Sequence, residues 1–250
     1  MTSGKYSALS GAIARDQAIA YLTANLANVN TTGYKSRSLN FEAMLRGEQQ
    51  RTQAKGINFN RVKTVVTDFA PGPLKHTENP FDVAIHGDGF FKVQGPNGVL
   101  YTRRGDFVTD QAGILRTSNG MMVLDDGGGP ITIPNADTSQ VSIGESGIVA
   151  IVNNDGGVDE VGQLAVVGID NPQNLRPEGN TTYSLGAESS EVPMEAPFRL
   201  VQGSLETSNV NMIEEMTRLI DNHRAYDNYH KVLESYKSIG EQQDALGTLS

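Results

Sequence analysis

Hydrophobic positions along the chain fall into three textures. Between residues 3 and 33, Ala12, Ile19, Leu22, Leu26 and Val29 follow steps of seven, three, four and three, the spacing of one narrow helical stripe. From about residue 80 to 200 the pattern changes to short β bursts, Phe81–Ile85, Phe90–Val93 and Val99–Thr102, with turn residues every ~8–12 positions. From 208 to 246 the helical period returns. Ala225, Tyr229, Val232, Tyr236, Ile239, Gln243 and Leu246 alternate steps of four and three over about three heptads.

The punctuation agrees with these textures. Asn30-Thr31-Thr32-Gly33 predicts the end of the first helix, with Gly33 in the left-handed position beyond it. Asn211 predicts the cap of the last helix, with Glu214 three residues on as a capping box, and Glu214, Glu215 and Asp221 complement its dipole. Asn97-Gly98 between two β runs predicts a hairpin. Further turns are expected at Asp110–Gly113, Ser118–Gly120, Asp125–Gly129 and Asn153–Gly157. Residues 34–75 hold an apolar patch at Phe41–Leu45, a polar stretch, and a strand through Val62, Val65, Val66 and Phe69 that stops at Pro71-Gly72-Pro73.

The fold class expected is α+β: long N- and C-terminal helices packed as a coiled-coil-like bundle, joined to a central all-β barrel or sandwich. The divisions expected are 1–33 with 208–250 as a discontinuous helical axial domain, 34–75 as an extended connector, and 76–207 as the β domain.

The terminal helices exceed what a small β domain needs. The last would span roughly 58 Å at ~1.5 Å per residue. The first has only Arg15 and Asp16 charged between Lys5 and Lys35, and its remaining positions are rich in Ala, Ser, Thr, Asn and Gln. Ordering it costs ~1–2 kcal/mol of backbone entropy per residue, while each large apolar side chain in a narrow seam returns ~1.5–3 kcal/mol. The expectation is that both ends pair with each other and with copies of the chain. The assembly interface expected is Ile19, Leu22, Leu26 and Val29 with Ala225, Tyr229, Val232, Tyr236, Ile239 and Leu246, and Thr31, Thr32 and Gly33 form the helix-exit turn. A private antiparallel hairpin within one chain is the alternative.

Composition narrows the function. The 250 residues include no Cys, which excludes disulfide scaffolds, thiolate metal sites and cysteine nucleophiles. The net charge of −9 argues against nucleic acid. Residues 1–75 carry ten Lys/Arg against four Asp/Glu, and the rest carry ten against 25, an asymmetry suited to contacts between copies. No apolar run reaches the ~18 residues of a membrane span, and the first 20 residues hold no secretory apolar core, so neither membrane insertion nor a cleaved Sec-type signal is expected.

Candidate chemistry is thin. His223, Asp227 and His230 stand on one helical face as possible metal ligands, but without a fourth ligand a polar helix face is the better reading. Gly87-Asp88-Gly89 and Gly127-Gly128-Gly129 read as tight β turns, not phosphate loops. Asp125-Asp126 and Asn153-Asn154-Asp155 lack the oxygen spacing of an EF-hand. Arg103-Arg104 beside Tyr101 and Phe107 could stack bases, yet a strand pair with arginines on its rim explains them better. No G-x-S-x-G elbow occurs. The expectation is a non-enzyme with no catalytic, metal or cofactor residue. A coiled-coil-stalked binding module remains a competing reading of the pattern.

Four motifs in order carry a resemblance. Ala24-Asn25-Leu26-Ala27-Asn28-Val29-Asn30-Thr31-Thr32-Gly33-Tyr34-Lys35 resembles the N-terminal signature of bacterial flagellar rod and hook proteins. Asn79–Ile85 with Gly87-Asp88-Gly89-Phe90-Phe91 resembles the opening of their β domain, and Tyr101–Phe107 follows in the same order. Gly203–Asn211, Glu214-Glu215-Met216 and Arg224-Ala225-Tyr226 are similar to their C-terminal pattern.

The resemblance implies a structural subunit of the rod, the drive shaft between motor and hook, with no cofactor. It implies terminal helices in an inner tube, a β domain outside, and the basic connector near acidic surfaces of neighbours. The partners implied are copies of the chain, other rod proteins above and below, and the flagellar type III export apparatus, which takes an uncleaved N-terminal region. The location implied is the basal-body rod spanning the periplasm. The chain is short for a hook protein. Gly128–Pro134, Met216–Ile220 and the brevity of 46–75 resemble the proximal rod type more than the distal rod type.

Overall fold

A computed structural model describes residues 2–46, 57–134, 141–152, 157–193 and 198–247. Residues 47–56 of the polar stretch and 153–156 of the last expected turn, with the Asn153–Asp155 cluster, lie outside the described residues. The chain is α+β and divides into two compact units: Met1–Ala27, Arg37–Asp68 and Val210–Ser250 form one, and Asn28–Ser36 with Phe69–Asn209 form the other.

The first unit holds both long helices, α1 (Thr2–Ala27) and α2 (Met212–Gly247). They pair antiparallel. Gly4 faces Tyr236, Gly11 faces Tyr229, Arg15 bonds Asn222 at 3.0 Å, and Asn25 bonds Glu215 at 3.1 Å. Beside α1 lie β1 (Arg37–Arg46) and β2 (Ile57–Thr67), antiparallel from Arg37↔Thr67 to Arg46↔Ile57, with a shift of register between Asn40 and Phe41. The single extended connector expected at 34–75 is therefore absent as one piece: Arg37–Arg46 pairs with Ile57–Thr67 in the helical unit, and 69–75 belongs to the β unit. The run Val62–Thr67 is rich in β-branched residues that favour a pleated strand. An extended strand must also pair its backbone groups, and β1 provides that partner.

α1 stops at Ala27, three residues before the Asn30–Gly33 turn expected to end it. Asn28 begins a run of turns in which the Thr31 hydroxyl bonds the Asn28 side chain at 3.1 Å and the Thr31 amide bonds the Asn28 carbonyl at 3.1 Å. Short polar side chains that bond locally compete with helical pairing, and this run contains four of them. Gly33 does adopt a left-handed φ of 66°. It does so away from the helix end, because a Cβ there would lie 2.7 Å from the Arg104 amide nitrogen. At the start of α2, the Asn211 side chain accepts from the amides of Ile213 (3.2 Å) and Glu214 (3.4 Å), as expected of a cap, while Glu214 reaches forward to Arg218.

The β unit is built on β3 (Leu74–His76), β4 (Val83–His86), β5 (Phe90–Gly95) and β6 (Gly98–Thr102) and the short strands that follow. β5 and β6 form the hairpin expected at Asn97-Gly98, with Gly95 opposite Gly98 and Gly98 at φ 135°. This hairpin lies within the largest sheet, extended by strands at 107–109, 115–117 and 122–123 on one side and 182–184 and 176–179 on the other. A second sheet runs through 141–143, 148–152 and 158–163, while β4 pairs with 199–202 and β3 with 204–206. The apolar core between them includes Val83, Ile85, Phe91, Val93, Phe107 and Leu115, each 1 % exposed or less.

Candidate functional site

The helices were expected to carry the assembly surface, and the helical unit separates two kinds of position. One kind is used within the chain. Tyr229 and Tyr236 lie one heptad apart on α2 and seat their rings over Gly11 and Gly4, one heptad apart on α1. A Cβ on Gly11 would approach the Tyr229 ring to 2.6 Å, so the missing side chains make room for the rings. Ile19, Leu22, Leu26, Ala225, Tyr229 and Tyr236 are half-buried, and Leu246 lies in the last turns of α2. Val29 is also half-buried, but beyond α1 and in the β unit. The part of the expectation in which the two ends pair with each other is therefore what the chain contains, and the pairing is antiparallel.

The other kind is left open. Val232 and Ile239 are 44 % and 39 % exposed, while Leu233, next to Val232, is half-buried. The expected 4-3 seam thus splits across two faces: a 36-residue helix of period 3.6 drifts off a strict seven-residue repeat. Two further stripes were not picked out from the sequence. Tyr6, Leu9 and Ile13 are exposed on α1, and Ile213, Met216 and Ile220 on α2, both at steps of three and four. The step pattern was legible, but which face it occupies depends on what the partner helix covers. His223, Asp227 and His230 are all exposed on α2, where the His230 ring meets Tyr226 edge-on at 4.5 Å. Among the described residues no group of three or more acidic or imidazole side chains is placed to hold a metal.

Asn25 ties the helical unit together. It is 2 % exposed, its amide nitrogen bonds the Arg37 carbonyl at 2.9 Å, and its oxygen accepts the Arg37 amide at 3.0 Å. The same nitrogen bonds Glu215, 7 % exposed, at the start of α2. One side chain from the N-terminal motif therefore joins α1, β1 and α2.

A buried charge cluster lies in the β unit. Lys35, Glu206 and Arg103 have side chains 0 %, 1 % and 2 % exposed. Lys35 Nζ is 2.6 Å from Glu206 Oε1 and donates to the Ala70 carbonyl at 2.7 Å. Arg103 Nη1 lies 3.3 Å from Glu206 Oε2 and donates to the Gly87 carbonyl at 2.8 Å. The Gly72 amide gives Glu206 Oε1 a further bond at 2.9 Å, and the Gly33 amide donates to the Glu206 carbonyl at 2.8 Å. Arg103 also stacks on Phe90, 5.3 Å from the ring centroid. Burial pulls the Arg103 guanidinium below its ordinary value, and the Glu206 and Asp88 carboxylates push it back up. The rim position expected for the arginine pair is thus corrected for Arg103, which is core. Arg104 pairs with Asp106 on the half-exposed side. In the sequence Lys35 and Glu206 stand inside two separate motifs with nothing to mark them as a pair. No local pattern announces that charges 171 positions apart will meet.

Three segments of the chain match families of known proteins. Residues 6–35 match the family described as flagella basal body rod protein. Residues 84–151 match the flagellar hook protein FlgE/F/G D1 domain, and residues 201–242 match the flagellar basal body rod FlgEFG protein C-terminal family. Each member of the cluster comes from a different match: Lys35 from the first, Arg103 from the second, Glu206 from the third. The chain is 37 % identical over 216 residues to the flagellar basal-body rod protein FlgF of Caulobacter vibrioides, covering 84 % of each chain. It is 32 % identical over 249 residues to FlgF of Mesorhizobium japonicum, covering 100 % of this chain and 98 % of that one. It is 30 % identical over 256 residues to the rod protein FlgG of Bacillus subtilis, covering 96 % and 97 %.

Proposed function

Because the chain belongs to the flagellar basal-body rod protein family, we propose that it is a structural subunit of the rod that joins its neighbours through the open faces of its terminal helices. One observation carries this reading. The paired helices spend one face on each other and leave Tyr6, Leu9 and Ile13, and Ile213, Met216 and Ile220, in ordered apolar stripes. A helix that is apolar on its outer side as well as its inner side is suited to burial among further helices. The occupants are copies of the chain and other rod proteins above and below, with the helices packed as a coiled-coil-like inner tube. The mechanical role is to carry torque from motor to hook.

The finer placement follows the same reading. The chain occupies the basal-body rod across the periplasm and reaches it through the flagellar type III export apparatus without a cleaved signal. The proximal part of the rod is favoured by the motif resemblance, and the distal part is the second reading; the relatives, FlgF and FlgG alike, support the rod family as a whole. Locating the chain along purified basal bodies by imaging separates the two.

The test of the assembly surface is Ile220→Asp together with Ile13→Asp. Both side chains are about half exposed in the single chain, so the helices should stay folded, with unchanged helical circular dichroism. Incorporation into basal bodies, and with it motility, should be lost. Normal basal bodies and normal swimming from the double variant would overturn the helical assembly surface. Tyr236→Asp is a poorer probe, because its ring is already packed on Gly4 within the chain.

A further inference from the structure

The chain passes between the two compact units four times, at residues 27/28, 36/37, 68/69 and 209/210. Four such passages could act as four independent linkers. Their ends in the β unit are instead bonded to one another. On the passage at 36/37, the Ser36 amide donates to Asn209 Oδ1 at 2.8 Å. On the passage at 68/69, the Ala70 carbonyl accepts both Asn209 Nδ2 at 3.2 Å and Lys35 Nζ at 2.7 Å. The segment entering at 27/28 reaches Gly33, whose amide is held by the Glu206 carbonyl at 2.8 Å. The segment leaving at 209/210 is held upstream by Thr207, whose amide and hydroxyl both donate to the Pro73 carbonyl, at 2.9 and 2.8 Å. Gly72 lies so close to the Thr207 carbonyl that a Cβ there would collide with backbone.

We infer that residues 33–36, 70–73 and 203–209 form one cooperative collar that binds all four chain passages to each other, with Asn209 as its positioning residue. Asn209 is suited to this because one planar amide offers an acceptor and a donor on opposite sides. Here they serve passages 34 positions apart in sequence. The buried Lys35–Glu206 pair closes the same ring from inside. Resting on the reading of the chain as a rod subunit, the collar has a mechanical consequence. A load arriving along any one passage is shared by all four, so no single linker has to bear or twist under it.

Hydrogen exchange on the purified full-length protein tests the collar. Cooperative segments open as units, with one opening free energy. In the wild type, the amides of Gly33, Ser36, Gly72 and Thr207 should therefore share one exchange free energy and one denaturant dependence. Asn209→Ala should accelerate all four by the same factor, about ten-fold. Asn209→Asp, which keeps the acceptor for Ser36 and removes the donor to Ala70, should give a smaller but equally shared acceleration. Four unrelated exchange free energies, or an acceleration confined to Ser36, would overturn the collar. This measurement is independent of assembly. A chain that passes it and fails to enter basal bodies counts against the proposed function, and one that enters basal bodies and fails it counts against the collar.

Discussion

Glu206→Ala is the sharpest perturbation the structure offers. The side chain is 1 % exposed and its two oxygens receive Lys35 Nζ at 2.6 Å, the Gly72 amide at 2.9 Å and Arg103 Nη1 at 3.3 Å. Its removal takes away the carboxylate that both cations, 0 % and 2 % exposed, are paired with. Breaking a buried pair by deleting one partner costs ~3–5 kcal/mol, because the remaining charge stays desolvated. Here a backbone donor is orphaned as well, so the upper part of that range is expected. At ~2–4 °C per kcal/mol for a domain of this size, the melting temperature of the β unit should fall by roughly 10–15 °C. The assay is urea and thermal unfolding of the purified protein, followed by near-ultraviolet tyrosine signal, since the β unit holds buried Tyr34, Tyr101 and Tyr183. Lys35→Met added to Glu206→Ala removes one of the stranded charges and should recover part of the loss. A loss under about 1 kcal/mol in the single variant, or no recovery in the double one, would show that the cluster is not the desolvated ion pair described above.

Two further predictions concern the β unit. Gly105→Ala should destabilise it by about 3 kcal/mol or more, because the new Cβ would lie against the Val83 carbonyl in a backbone crossing that cannot give way. Gly98→Ala should cost only ~1–2 kcal/mol, since it meets nothing within 4 Å and pays only for its φ of 135°. Equal losses in urea titrations of the two variants would contradict this ordering. The second prediction is pH dependence at Tyr101 and Glu191, whose side chains are hydrogen-bonded. Burial, then the bond to Glu191, raises the Tyr101 phenol above its ordinary value. The unfolded chain therefore releases this proton first, and stability should fall as pH rises beyond about 10. Glu191 shifts downward: burial opposes the shift, but the bonds from Tyr101 and Lys92 outweigh it. Its contribution is present above the unfolded value of about 4.3 and is lost as pH falls through the folded one. Tyr101→Phe should flatten the alkaline limb of the urea midpoint against pH, and Glu191→Gln the acid limb.

What the sequence by itself determined is the local part of this protein. The helical stripes, the Asn211 cap and the hairpin at Asn97-Gly98 all depend on residues within one or two turns of each other. Their backbone preferences act before any long-range contact forms. The same local rules placed the end of α1 too late, because they weighed Gly33 and overlooked the competition offered by Asn28 and Thr31. Only the tertiary structure decided the rest. It paired Gly4 and Gly11 with Tyr236 and Tyr229, left Val232 exposed beside a half-buried Leu233, paired Arg37–Arg46 with Ile57–Thr67, and buried Lys35, Arg103 and Glu206 together. The physical reason is that a charged residue reads as surface until its partner is known. Here the partners are separated by as many as 171 positions, so neither charge pattern nor period could bring them together.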